Sequence, residues 1–319
     1  MGFGKYLFRR ILQMIPVMIF VVIFNFLIIN FAPGDPVVVL AGENATQEYM
    51  DELRESFGLN EPLHTRFIIY FANLIQGDLG VSYTYNAPVS EVILEKLKVT
   101  LMLVVLSETI TIIVGTTLGA IAARYRGKLL DSSISNLAMI LYCLPAFWLG
   151  MILILIFAVH LQLLPSSGMY SFGGEYTGFV DLLRHLILPA TTLFLVQLPI
   201  YIKVTRSSVI EVAQEDFIKT ARAIGYSEST VYRKFALRNA LLPTVTIAGL
   251  SLSTLFTGSL LTETVFSWPG MGRMIFDAIS ARDYPLIMGG FIVTTFLVII
   301  GTLITDLIYT YLDPRVVNS

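Results

Sequence analysis

"ILQMIPVMIFVVIFNFLIINF", Ile11 to Phe31, is a stretch of about 21 residues with no charge in it. Spanning the hydrocarbon core of a bilayer takes about 20 predominantly apolar residues. Lys5, Arg9 and Arg10 precede the run, as basic residues precede the apolar part of a signal peptide. That part is only about 7–15 residues long, however, and ends at a small-residue cleavage site. Here the run is longer and "NFAPGDP" follows it, so it reads as a retained transmembrane helix.

The same test, carried outward, finds Val99–Ala123, Leu137–Leu161, Leu186–Val204, Ala240–Thr262 and Pro285–Tyr309. The fourth is the shortest and contains Pro189 and Pro199, which a membrane helix tolerates when its neighbours satisfy the freed carbonyls. The expectation is an all-α integral membrane protein with six transmembrane helices. Composition agrees: 55% of the 319 residues are hydrophobic and 14% are charged, against roughly a quarter charged in soluble domains. A net charge of −2 points away from nucleic acid, which attracts a clustered basic surface. The one cysteine, Cys143, excludes a disulfide framework or a CxxC site and reads as a small buried hydrophobe.

Basic residues orient the spans, because cytoplasmic loops carry an excess of Lys and Arg. With the N-terminus inside, that side holds Lys5, Arg9, Arg10, Arg124, Arg126, Lys128, seven more between Lys203 and Arg238, and Arg315. Both termini are then cytoplasmic. The chain divides into 1–31, an extracytoplasmic segment 32–98, a five-helix core 99–309 containing a cytoplasmic loop 205–239, and a tail 310–319. The extracytoplasmic segment is partly helical, with a glycine stop at Gly58 and a second start after Pro62. Tyr49, Leu53 and Phe57 form an amphipathic stripe in it. That stripe suits either a surface over the pore mouth or an external partner, or an ordinary packed loop.

Within the cytoplasmic loop, "FIKTARAIGYSESTVYRKFALRNALLP" (Phe217–Pro243) is polar and basic. Phe217, Ile218, Ala221 and Ile224 recur at helical spacing, with Lys219 and Arg222 directed elsewhere. Gly225 provides a helix stop and Ser227 a cap for a second helix through Val231 and Phe235. Two short helices hinged at a glycine suit docking in a groove of another protein, and they equally suit an interfacial helix on anionic lipid.

This stretch resembles the "EAA loop" of permease subunits of ATP-binding-cassette importers, whose pattern is E-A-A, three residues, G, nine residues, I-x-L-P. Aligned on Gly225, the pattern falls on Lys219, Thr220, Ala221, then Phe235, Ala236, Leu237 and Arg238. Ala221, Gly225 and Leu237 match, while Lys219 and Arg238 depart in the way the peptide/nickel branch does. "FAPGDP" (Phe31–Pro36), "GDLGVSY" (Gly77–Tyr83), "LPAFWLG" (Leu144–Gly150), "FSWPGMGR" (Phe266–Arg273), "RDYP" (Arg282–Pro285) and "YLDPR" (Tyr311–Arg315) are similar to that branch in the same order. The resemblance implies a type I ABC importer permease of the inner membrane. It would pair with a second homologous permease, two cytoplasmic ATPases and an extracytoplasmic solute-binding protein, in contact with membrane lipid. Phe217, Ile218, Lys219, Thr220, Ala221, Arg222, Gly225, Phe235 and Leu237 would couple it to the ATPase. The implied cargo is a di- or oligopeptide, with nickel, glutathione or oligosaccharide as alternatives.

The residues set limits of their own. The two Gly-Lys pairs, Gly4–Lys5 and Gly127–Lys128, both lack the first glycine of a P-loop and are followed by Tyr6 and Leu129 in place of its Ser/Thr. His64, His160 and His185 show no zinc-binding spacing, and no GxSxG elbow occurs. No catalytic residue, metal ligand or cofactor is therefore expected, and the chain reads as a transporter component rather than an enzyme. A secondary transporter is the alternative of another class; the internal repeats common in that class are not evident. Glu108 lies inside the second span, where a carboxyl is expensive; it suits a pore-lining group or a helix-to-helix hydrogen bond. Asp306 sits near the cytoplasmic end of the sixth span. Asn25 and Asn30 read as interhelical hydrogen-bond partners; Glu263, Asp277 and Asp283 at the outer face suit a meeting with a binding protein, but read first as solvated loop charges.

Overall fold

The computed structural model describes residues 3–31, 36–41, 45–56, 58–171 and 178–312. Ala32–Asp35 of the "FAPGDP" motif, Phe57 of the amphipathic stripe and the 313–319 part of the tail lie outside the described residues. The described chain is helical apart from turns and one isolated antiparallel bridge, Val81 to Pro88. In order, the helices are α1 (Phe3–Phe31), α2 (Pro36–Ala41), α3 (Gln47–Ser56), α4 (Leu63–Ile75), α5 (Val89–Arg124) and α6 (Leu129–Cys143). Then come α7 (Ala146–Leu153), a π-helical Ile154–His160, α8 (Gly178–Val212) and α9 (Asp216–Ala223). After α10 (Glu228–Thr230) the backbone is π-helical over Val231–Leu237. It continues as α11 (Arg238–Ala240), α12 (Leu242–Val265), α13 (Met271–Ala281) and α14 (Tyr284–Leu312).

Among the described residues, four helices are long and apolar enough to cross a membrane, within α1, α5, α8 and α14. The third expected span is not one straight helix. It is the pair α6 and Ala146–His160, bent by 103°. Pro145 causes the break: it has no N–H to continue the ladder, and it drives Leu144 to extended geometry (φ −85, ψ 129). The prolines of α8 act differently. Pro189 and Pro199 sit inside a helix of 35 residues that continues to Val212, so the first part of the expected loop 205–239 is helical and continuous with the helix before it.

The chain forms two compact units. One comprises Leu7–Thr100 and Pro269–Leu297. Its core joins Ile29, Val89, Val92, Ile93, Met271, Met274, Ile275, Ala278, Leu286 and Ile287. Asp283 is fully buried, and its carboxylate accepts from Ser82 Oγ (2.5 Å), Thr84 N (2.9 Å) and Leu286 N (3.2 Å). It therefore caps α14 and pins the 82–84 turn, which corrects its reading as a solvated loop charge. Asp277 does remain exposed, beside Arg273 at 3.6 Å.

The other unit comprises 1–6, Leu101–Trp268 and Val298–Ser319. α6 packs on α8 through Ala138, Leu198 and Ile202, and α7 packs on it through Leu149, Leu153 and Leu188 with Phe266. The buried face of α6 runs through Ile134, Ala138 and Leu141. Cys143 falls on the opposite side with Met139, Ile140 and Tyr142 and is exposed, so its expected burial is overturned. Glu263 is buried and accepts from Ser259 Oγ at 3.2 Å. It too is no solvated charge.

Candidate functional site

The polar stretch folds as a hairpin with its own small core. α9 opens with Asp216 and ends near Arg222, charges that complement the helix dipole. Ile218 and Ala221 are buried against Val231 and Ala236, with Val212 and Phe235 packed beside them. Phe217 and Ile224, expected on the same face, lie at its rim and are 43% and 71% exposed. The reason is geometric: at 100° per residue only Ile218 and Ala221 point at the second arm. The exposed Phe217, Ile224 and Tyr226 form an apolar surface that the spacing alone did not reveal.

Gly225 takes φ +98 and closes α9, with its N–H donating to Arg222 O at 3.0 Å and that of Tyr226 to Ala221 O at 3.3 Å. Ser227 caps the next arm by accepting from Thr230 N at 3.4 Å. Across the turn, Arg222 Nε donates to Glu228 Oε1 at 2.9 Å, and the Tyr226 and Phe235 rings lie 5.3 Å apart. Lys219 is exposed beside Asp216 at 2.8 Å, and Thr220 Oγ1 donates back to Asp216 O. Surface pairs of this kind add only about 0–1 kcal/mol. The apolar contacts and the turn hold the hairpin.

The hairpin is tied to the long helices of its unit. Tyr232 donates its hydroxyl to Ala120 O of α5, and Leu237 packs against Ala123, Val209 and Ala240. Burial raises the Tyr232 pKa, with the Arg124 charge pulling the other way. Close by in sequence, Arg206 of α8 donates to both oxygens of Asp131 at 2.6 and 2.9 Å. Asp131 also accepts from Gly127 N at 2.9 Å. Movement of the hairpin would pull directly on α5 and α8.

Glu108 is 2% exposed and accepts from the Tyr201 hydroxyl of α8, while its Oε2 has no partner among the described residues. Ser251 of α12 also hydrogen-bonds Tyr201. Glu108 therefore sits inside the chain's own bundle, in a link from α5 through α8 to α12. Tyr201 is a partner that the sequence reading missed; a tyrosine within an apolar span, needing somewhere to place its hydroxyl, was the available signal. Tyr201→Phe should destabilise the protein by about 1–3 kcal/mol, because both carboxyl oxygens are then left buried and unpaired. Adding Glu108→Met should recover most of that loss, because an apolar replacement needs no partner. Thermal unfolding of the two variants in detergent checks both. Of the other membrane polar groups, Asn30 Nδ2 donates at 2.7 Å to Phe26 O of its own helix, not to another helix. Asp306 is half-buried.

Residues 115–318 match the family described as binding-protein-dependent transport system inner membrane component, and residues 3–104 match the N-terminal membrane component of the same systems. The chain belongs to this family of inner-membrane transport components. It is 37% identical over 333 residues to the dipeptide transport system permease protein DppB of Escherichia coli (strain K12), covering 98% of each chain. It is 36% identical over 314 residues to the oligopeptide transport system permease protein AppB of Bacillus subtilis (strain 168), covering 98% of this chain and 99% of that one. The fold is shared with the MetNI methionine ABC transporter in inward-facing conformations, at TM-score 0.54 and 17% identity over 70% of this chain and 97% of that one. An amino acid ABC transporter is similar at TM-score 0.51 and 14% identity, over 71% of this chain and 94% of its own.

Proposed function

We propose that this chain is a permease subunit of an ATP-driven importer of di- or oligopeptides and forms half of the translocation path with a second, homologous permease. The hairpin carries the reading: a glycine-hinged pair of short helices, apolar on its exposed rim and bonded at its root to α5 and α8. Phe217, Ile218, Lys219, Thr220, Ala221, Arg222, Gly225, Phe235 and Leu237 form the coupling element. Phe217 and Ile224 enter a cleft of a cytoplasmic ATPase, while Ile218 and Ala221 keep the element rigid enough to transmit force. ATP-driven closure of two ATPases moves the hairpins, turns the bundles and opens the path toward an extracytoplasmic solute-binding protein; hydrolysis resets it. Six spans place both termini in the cytoplasm, and segment 32–98 faces outward. Glu108 acts as an interhelical strut, its burial supporting that role over contact with cargo. The full-length similarity to peptide permeases supports the cargo.

Uptake into vesicles holding the chain and its co-purified subunits tests this proposal, with a labelled dipeptide compared against nickel, with and without ATP. ATP-dependent dipeptide uptake is expected. Uptake that needs no ATP would sink the importer reading in favour of a secondary transporter, and ATP-dependent nickel uptake would replace the cargo alone.

A further inference from the structure

Within the unit formed by Leu7–Thr100 and Pro269–Leu297 lies a cleft of about 250 Å³. Phe26, Ile29, Ile69 and Met288 supply its apolar lining, and Arg66, Tyr70, Asn73 and Asp78 its polar side. Two of its lining residues carry buried atoms with no hydrogen-bond partner among the described residues, Asn30 Oδ1 and Tyr70 Oη. A buried polar atom left unpaired is costly, so both call for a polar ligand. Arg66, Tyr70 and Asn73 follow one another along one face of α4 at helical spacing. Arg66 forms no ion pair with a carboxylate among the described residues, though its charge reaches the Tyr83 hydroxyl.

The depth of this cleft identifies its surroundings. Asn30 is one residue from the end of the apolar span of α1, and Tyr284 is the first residue of that of α14. Phe26 packs edge-on against Phe67 (5.2 Å) and stacks on Tyr70 (5.9 Å). It precedes the span end Phe31 by about 7.5 Å, at 1.5 Å per residue. α4 thus lies level with the last turns of a membrane helix. It turns Ile68 and Ile75 outward, 64% and 72% exposed. A helix with an apolar outer face at that depth suits the plane of the lipid head groups, and tyrosines such as Tyr70, Tyr83 and Tyr284 are amphipathic rings of the kind enriched there.

We propose that this cleft binds a phospholipid through a head group carrying both a phosphate and a primary ammonium. Arg66 and the Tyr70 hydroxyl donate to the phosphate, and Asn30 Oδ1 and Asp78 accept from the ammonium. The apolar lining takes the first part of an acyl chain. Glu61 and Asp78 at the cleft disfavour a purely anionic head group, and a quaternary ammonium has no N–H to give Asn30. The volume is below the roughly 300–1,000 Å³ of pockets for drug-sized ligands, which suits a head group. The site depends on the depth of α1 and α4 and not on the cargo, so a failed uptake assay leaves it standing.

The test is native mass spectrometry of the full chain with its co-purifying subunits, taken from vesicles of equal phosphatidylethanolamine, phosphatidylcholine and phosphatidylglycerol. One phosphatidylethanolamine retained per chain is expected, about tenfold enriched over the other two, the factor expected from one charge-assisted hydrogen bond. Asp78→Asn, which can still accept from Gly80 N, should lower that enrichment severalfold, because Asp78 faces the ammonium. Arg66→Gln should lower retention of all three lipids, whose phosphate Arg66 holds, and Arg66→Lys should restore most of it. Lys128→Gln, in the other unit, should change nothing. Equal retention of the three lipids overturns the proposal without any variant, as does unchanged retention in Arg66→Gln. Displacement of the lipid by millimolar phosphoethanolamine would show a free head-group site, and displacement by a labelled dipeptide a cargo site; either overturns the lipid assignment.

Discussion

Gly225→Glu is expected to abolish ATP-dependent uptake while the associated ATPases continue to hydrolyse ATP. A Cβ at this position would meet nothing within 4 Å, so crowding is not the obstacle. The backbone is: φ +98 is a conformation that L side chains rarely adopt, and holding a residue there costs about 1–3 kcal/mol. The hairpin's core is small, four buried side chains at Ile218, Ala221, Val231 and Ala236. The remaining cross-turn contacts named above are the exposed Arg222–Glu228 pair and the Tyr226–Phe235 ring contact, each contributing on the order of 1 kcal/mol. The turn opens, Phe217 and Ile224 lose their place relative to the second arm, and the force path to α5 and α8 is broken. Gly225→Ala isolates the backbone effect from the added charge and should lower uptake by about tenfold, the equivalent of 1.4 kcal/mol. Ala221→Leu reaches the same end by another route, overpacking the core with Ile218, Val231 and Ala236. Uptake and ATP hydrolysis measured in the same vesicles decide the matter. Normal uptake by Gly225→Glu would remove the coupling assignment.

Gly119→Val should leave almost no folded protein in the membrane. Gly115 and Gly119 stand one turn apart on α5, the small-residue spacing that lets two membrane helices approach closely. A Cβ on Gly119 would lie 2.7 Å from Ile202 O and 2.8 Å from Thr205 Cβ of α8. One on Gly115 would lie 2.5 Å from Tyr201 Cβ. A carbonyl oxygen cannot rotate away as a side chain can, so α5 and α8 must separate. Overpacking costs about 1–3 kcal/mol where side chains can yield, and more where the backbone moves. Separation also pulls Tyr201 from Glu108 and the Thr205–Thr244 hydroxyl pair (3.0 Å) out of register. Membrane abundance and the size-exclusion profile report the outcome. A Gly119→Val protein that purifies with the thermal stability of the wild type would show that the two helices do not depend on this contact.

These two glycines mark the boundary of what could be read from the residues. Gly225 was legible: a glycine between two amphipathic stretches, with serine two residues on, has few other uses, and the local backbone has the stop and the cap at those positions. Gly119 was not, because its role depends on which helix α5 meets. The same division separates the acidic residues. Asp277 was taken for a surface charge and is one, whereas Asp283 is held by Ser82, 201 residues away, and Glu263 is buried beside Ser259 of its own helix. The face of α9 was half legible. Its period identified four apolar positions, but the position of the second arm decided that Ile218 and Ala221 turn inward and Phe217 and Ile224 stay at the rim. Leu144–Pro145 looked like the interior of one span, since hydropathy counts apolar residues and is blind to direction.

The sequence by itself determined that this is a helical membrane protein of the transport-component family and where its polar hairpin turns. Hydropathy, charge bias and turn chemistry act over a few residues and do not wait for partners. Only the tertiary structure decided that the third apolar stretch bends by 103°, that Glu108 is held by Tyr201, and that Asp283 is an internal cap. It also decided that Asn30 and Tyr70 carry polar atoms with no partner among the described residues, at the cleft that Arg66 lines. The link of Glu108 to Tyr201 and the cap at Asp283 each depend on a side chain many residues away brought within hydrogen-bond range, and packing is the force that selects such neighbours.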